Sequence, residues 1–88
     1  MSAPKIKLLR LAPVLLLTGG SRTTHYSRIH EGLMTKPVSI GVNSVAWPEH
    51  EIQAILTARV AGKSDDEIRA LVSKLMADRK TMCAEVAA

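Results

Sequence analysis

The 88-residue sequence has no phenylalanine, one tryptophan, one tyrosine and one cysteine. A lone cysteine, Cys83, excludes an internal disulfide and with it a disulfide-stapled secreted scaffold. So few aromatics leave an aliphatic core, with Trp47 as its one large anchor. Cys, His and Asp do not cluster at metal-ligand spacing, so neither a metal nor a cofactor is expected. No Ser/His/Asp, Cys/His, paired-carboxylate or phosphate-loop arrangement is present, which argues against an enzyme. No apolar run approaches the ~20 residues of a spanning helix. A chain this short buries only about 60% of the surface it exposes when unfolded, so one small and marginally stable domain is expected.

Basic residues are present, and unevenly balanced. The formal charge is +4. Residues 1–47 carry six bases (Lys5, Lys7, Arg10, Arg22, Arg28, Lys36) against Glu31, a net of +5. Residues 48–88 carry six bases against seven acids, a net of −1. A basic half joined to a near-neutral half suits a polyanion-binding surface with a separate packing region. A solvated basic face with no partner would look the same from charge alone.

The start imitates a secretory signal, with Lys5, Lys7 and Arg10 ahead of the apolar run Leu11–Leu17. That run is short and contains Pro13, and the same residues suit a short helix with Pro13 in its first position. The segment is therefore read as structure: a basic arm over 1–9, then a helix from Pro13 to Thr18 ended by the turn Gly19-Gly20. Ser21 is a good N-cap, and Arg22 to Glu31 reads as a second helix closed by Gly32. Helix, three-residue turn and helix make a helix-turn-helix pattern.

After Gly32 the apolar period changes to two. Val38 and Ile40, then Val45 and Trp47, bracket the turn Gly41-Val42-Asn43-Ser44, predicting a short hairpin that must lean on helices. Pro48 opens a third helix with apolar positions Ile52, Ile55, Leu56 and Val60, stopped by Gly62. Ser64 to Glu67 is a capping box that starts a fourth helix, whose stripe is Ile68, Leu71, Val72, Leu75 and Met76. Lys74, Arg79 and Lys80 suit its C-terminal dipole, and residues 81–88 read as a frayed tail. Four domain segments follow: arm 1–9, winged domain 10–62, C-terminal helix 63–80 and tail 81–88.

The order helix, turn, helix, hairpin, helix resembles the AlpA-like and excisionase-type regulators of mobile genetic elements, in the winged helix-turn-helix group that includes MerR-type DNA-binding domains. The resemblance is carried by Arg10-Leu11, Thr18-Gly19, Ser21-Arg22-Thr23-Thr24, Tyr26, Ile29, Glu31-Gly32, Lys36-Pro37-Val38, Ile40-Gly41 and Trp47 running into Glu51-Ile52, over residues 8–62. Gly20, His25 and Asn43 depart from the pattern, standing where such proteins often have an aliphatic turn residue, Ile or Val, and a wing arginine. The resemblance implies a mainly α fold with a small β-hairpin that binds attachment-site or promoter DNA. It implies an excisionase (recombination directionality factor) that bends its site, working with an integrase, or else a transcriptional activator. The expected place is the bacterial cytoplasm, at the nucleoid, with no membrane partner. A small protein-interaction module such as an antitoxin is the alternative from another class.

In a helix-turn-helix the N-terminal residues of the second helix meet base edges. Here those are Ser21, Arg22, Thr23 and Thr24, with Ser27 and Arg28 one turn on. Lys5, Lys7, Arg10 and Lys36 suit phosphates, and Asn43 and Ser44 form the wing tip. Tyr26 suits either a packed ring or a hydroxyl on phosphate, while Ile29 and Leu33 read as core and His25 as a partly buried packing residue. Four consecutive apolar residues, Val14 to Leu17, exceed what one helix face can bury. Leu15 and Leu16, with Met82 and Val86 of the tail, are therefore candidates for self-association, in an open head-to-tail row along DNA.

Overall fold

The computed structural model describes residues 6–87, with side chains as far as Thr81. Its elements are β1 (Leu8–Leu9), α1 (Leu11–Thr18), α2 (Arg22–His30), β2 (Val38–Gly41), β3 (Ser44–Pro48), α3 (Glu49–Val60) and α4 (Asp65–Ala87). Four helices around a small antiparallel sheet form a winged helix-turn-helix with an added C-terminal helix.

The sheet has three strands rather than the expected two, in the order β1-β3-β2. Residues 8 and 9, expected to end a basic arm, form β1 and pair Leu8 with Pro48 and Leu9 with Trp47. The Glu49 N–H donates to the Lys7 carbonyl at 2.7 Å, which extends the pairing by one bond. This third strand buries Leu9 and gives the hairpin β2–β3 a neighbour on its second edge. A hairpin of this length is not stable alone.

Helix α1 begins at Leu11, two residues earlier than Pro13. The proline still costs nothing, because an N–H in the first turn has no partner within the helix. Gly19 ends the helix at φ 71° and donates its N–H to the Leu15 carbonyl at 2.9 Å. Only Gly19 of the Gly19-Gly20 pair adopts positive φ.

Helix α2 closes with two reversed bonds, Gly32 N–H to the Ile29 carbonyl at 3.2 Å and Leu33 N–H to the Arg28 carbonyl at 2.8 Å. That closure needs the left-handed residue Gly32, at φ 79°. Leu33 is thereby turned into the core, as its spacing predicts.

The core gathers Leu9, Val14, Leu33, Met34, Trp47, Ile52, Ile55, Ile68, Val72 and Leu75 from every helix but α2, with Ile29 of α2 packed against it. Trp47 is fully buried, and its indole N–H donates to the Thr35 carbonyl at 3.0 Å. Val60, expected in the α3 stripe, is 89% exposed. At about 100° per residue it lies on the far side of Ile52 from Ile55, while the buried face turns the other way, towards Glu51.

Helix α4 starts on the predicted capping box. The Ser64 hydroxyl accepts from the Glu67 N–H at 3.2 Å, and the Glu67 carboxylate accepts from the Ser64 N–H at 3.3 Å. It then runs on to Ala87, seven residues past the expected end at Lys80. Its last turn holds no base, so Lys74, Arg79 and Lys80 do not serve the helix dipole. Arg79 instead crosses to α3, where it donates to both oxygens of the fully buried Glu51 carboxylate at 2.6 and 2.7 Å, and to the Lys36 carbonyl at 2.7 Å. One guanidinium thus joins α4, α3 and the chain entering the wing. The side chains of Met82, Val86 and Cys83 lie outside the described residues.

Candidate nucleic-acid interface

Helix α2 is built to show one side to solvent. The Ser21 hydroxyl caps it, accepting from the Thr24 N–H at 3.2 Å and donating to the Thr24 hydroxyl at 3.0 Å. No acidic residue stands in its first turn, so the positive end of its dipole is left uncompensated. Its C-terminal end is held from outside, where Arg69 of α4 donates to the Glu31 carbonyl at 2.9 Å while pairing with Asp66 at 3.2 Å.

The inward side of α2 consists of His25, fully buried, and Ile29, half-buried. At about 100° per residue, Thr23, Thr24 and Ser27 fall opposite them. Arg28 borders that polar strip on one side, and Arg22 with Tyr26 borders it on the other. Arg22, Thr23, Thr24, Tyr26 and Ser27 are all exposed. The Arg22 guanidinium sits 6.0 Å over the exposed Tyr26 ring, within cation–π range. Short hydrogen-bonding side chains run down the crest, and a guanidinium flanks each side.

The other sequence-predicted positions are less uniform. Lys36 is exposed, and its carbonyl is fixed by Arg79. Arg10 is exposed at the start of α1. Lys7 is engaged with Glu49 at 3.5 Å, so it is not an uncommitted cation. Among the described residues, Arg10, Arg22, Arg28 and Lys36 make no ion pair. Asn43 closes the wing turn at φ 55°, and the Ser44 hydroxyl donates to the Val42 carbonyl at 3.3 Å. The wing therefore offers no cation of its own, and its exposed tip pairs Val42 with Asn43. Lys5 lies outside the described residues. On α1, Leu16 is 85% exposed and, with Ala12, Leu15, Gly19 and Gly20, lines an open groove beside the turn into α2.

His25 packs inward as expected, but more deeply. Its ring is 1% exposed, not partly buried, and stands edge-on to Trp47 at 4.7 Å and to Tyr26 at 5.6 Å. Neither ring nitrogen has a hydrogen-bond partner among the described residues. Burial, and secondarily the Arg28 guanidinium, hold its pKa below the ordinary histidine value. A buried polar group left unpaired costs about 1–3 kcal/mol, which an aliphatic residue there would avoid. Burial this complete has no local signal, and neither do the Arg69 and Arg79 contacts, whose partners lie 38 and 28 residues away in the chain.

Comparison with known proteins gives a consistent picture. A family model described as prophage CP4-57 regulatory protein (AlpA) matches residues 7–60. A protein of enterobacteria phage P4, named as an uncharacterized protein ORF88, is 39% identical over 57 residues, which cover 65% of this chain and 65% of that relative. The similarity therefore spans somewhat under two-thirds of the relative's length. No solved structure matches the chain significantly. Among the described residues, no helix is long and apolar enough to cross a membrane.

Proposed function

Because the chain belongs to the AlpA family of prophage regulatory proteins, we propose that it binds duplex DNA through α2 and regulates a mobile genetic element. The observation that carries this reading is the outward side of α2: Thr23, Thr24 and Ser27 as a polar crest between the uncommitted guanidiniums of Arg22 and Arg28. A major groove admits a helix of this width, with hydroxyls and Arg at base edges and flanking cations on phosphate. The acid-free N-terminus of α2 favours a phosphate as well. Lys36 and Arg10 add backbone contacts, Lys5 and Lys7 add charge to the same half, and the Asn43-Ser44 tip contributes polar contact without charge.

Within that function, the chain acts as a recombination directionality factor that assembles on attachment-site DNA, bends it and assists an integrase in the bacterial cytoplasm. Exposed Leu16 and the groove beside Leu15 support association of copies on neighbouring DNA, with Met82 and Val86 as further candidates. A second reading, transcriptional regulation at a promoter without a direct part in excision, is favoured by the regulatory description of the family.

Gel shifts against the element's own attachment-site and promoter DNA, each compared with scrambled duplex, test the proposal. Preference for attachment-site DNA and integrase-dependent excision support the first reading. Preference for promoter DNA, with excision unchanged, supports the second. Equal and salt-insensitive binding to every duplex removes both, since phosphate contact requires affinity to fall as salt rises.

A further inference from the structure

We propose that His25 is a proton-gated positioning residue: as a neutral imidazole it seats α2 against Trp47, and its protonation unseats the helix and releases DNA. The inference rests on the reading of α2 as the DNA-contacting helix and adds acid sensitivity to it.

The geometry leaves a charged ring nowhere to stay. His25 is the one fully buried side chain of α2. Its ring meets the edge of Trp47 from β3 and of Tyr26 from its own helix, and neither nitrogen has an acceptor among the described residues. An imidazolium needs acceptors for two N–H groups and gains from a nearby carboxylate. β3 faces it with the uncharged indole of Trp47. The charged group that acts on it is Arg28, one turn along α2, which repels a proton. Protonation therefore favours a form in which the ring has left the core. With His25 withdrawn, only half-buried Ile29 holds the inward side of α2, and Thr23, Ser27 and the two guanidiniums lose their common orientation.

The sign follows from linkage. The seated form binds a proton less readily than the unseated one, whose imidazole titrates near the ordinary value of about 6.5. Seating is fully favoured above that pH and weakens as pH falls below it. A single proton limits the effect to about tenfold per pH unit. His30 and His50 are exposed.

The test uses the full chain and two readouts between pH 7.5 and 5. The first is affinity for a mixed-sequence duplex at low salt. The second is fluorescence of the single tryptophan, Trp47, without DNA. Wild type should lose more affinity than His25→Leu over this range, up to the roughly thirtyfold that one proton allows between about pH 6.5 and 5, and Trp47 emission should titrate in wild type alone. Parallel pH profiles in the two proteins, or Trp47 emission flat in wild type, overturn the proposal. The fluorescence titration of wild type needs no variant, so it decides the matter even where His25→Leu folds poorly. Absence of DNA binding at every pH, with Trp47 still titrating, would instead sink the DNA-binding reading and leave the proton-gated seating of α2 intact.

Discussion

The two halves of the chain hold six basic residues each and spend them on different work. In the trailing half, three of the six are consumed, Lys63 by Glu67, Arg69 by Asp66 and Arg79 by the buried Glu51, while Arg59, Lys74 and Lys80 make no ion pair among the described residues. The paired cations hold α4 to itself, to α2 and to α3. In the leading half, Lys7 pairs with Glu49, whereas Arg10, Arg22, Arg28 and Lys36 make no ion pair among the described residues. The two capped helices repeat the contrast. α4 opens on Asp65, Asp66 and Glu67, which compensate its dipole, while α2 opens on Arg22 and two threonines, which do not. Charge that is consumed stabilises a fold, and charge left over is available to a partner.

Breaking the consumed side should have the largest effect. Arg79→Ala leaves the Glu51 carboxylate buried without its partner, a change that typically costs about 3–5 kcal/mol. Against the stability of a small domain, about 5–15 kcal/mol, urea unfolding should show a large share of the margin gone. A midpoint within experimental error of wild type would mean that the clamp across α3, α4 and Lys36 holds nothing together.

The caps sharpen the comparison with a smaller effect. Ser21→Ala and Ser64→Ala each remove a hydroxyl that accepts a backbone N–H at 3.2 Å, worth about 1 kcal/mol. Thermal unfolding should register both alike. Duplex affinity should fall further for Ser21→Ala, because only that cap orients the helix proposed to enter the groove. Equal effects on affinity would remove the distinction between the two helices.

The smallest effect lies in the acid titration of α4. The Glu67 carboxyl is held below the ordinary glutamate value, first by the Ser64 backbone N–H, then by its hydroxyl, and then by Lys63. Its capping contribution is therefore complete above the ordinary carboxylate range and lost as pH falls through the lowered value. Helical signal followed from pH 6 to 2 should decline over that window and shift little in Glu67→Gln. Indistinguishable curves would show that the carboxylate contributes no pH-dependent stability.

What the residues reveal unaided follows the range of the interactions. The Ser21 and Ser64 caps and the glycine-closed ends of α1, α2 and α3 are legible because each is settled within four or five residues. Exposure of Leu16 is legible too, since four apolar residues in a row exceed one face. By contrast, β1 exists only because Leu8 and Leu9 find Pro48 and Trp47, forty residues away. The burial of Glu51 depends on Arg79, which meets it from 28 residues away in the chain. Val60 misled through a period that fitted its helix while the buried face lay rotated towards Glu51. Partial burial of His25 is legible, but its completeness is masked by its chemistry, since an unpaired imidazole is a poor choice for a core. On the binding side, the exposed residues of α2 follow from helix geometry, but the commitment of Lys7 to Glu49 depends on the β1–β3 pairing and is silent in the sequence.

The most direct measurement is the salt dependence of duplex binding for wild type and two double variants. Removing Arg22 and Arg28 together should lower the slope of log affinity against log salt, by about 0.9 for each guanidinium that neutralises a phosphate. Removing Lys74 and Lys80 together, two exposed cations of α4, should leave it unchanged. A slope that responds equally to both pairs, or to neither, would contradict the assignment of α2 as the face this protein turns towards DNA.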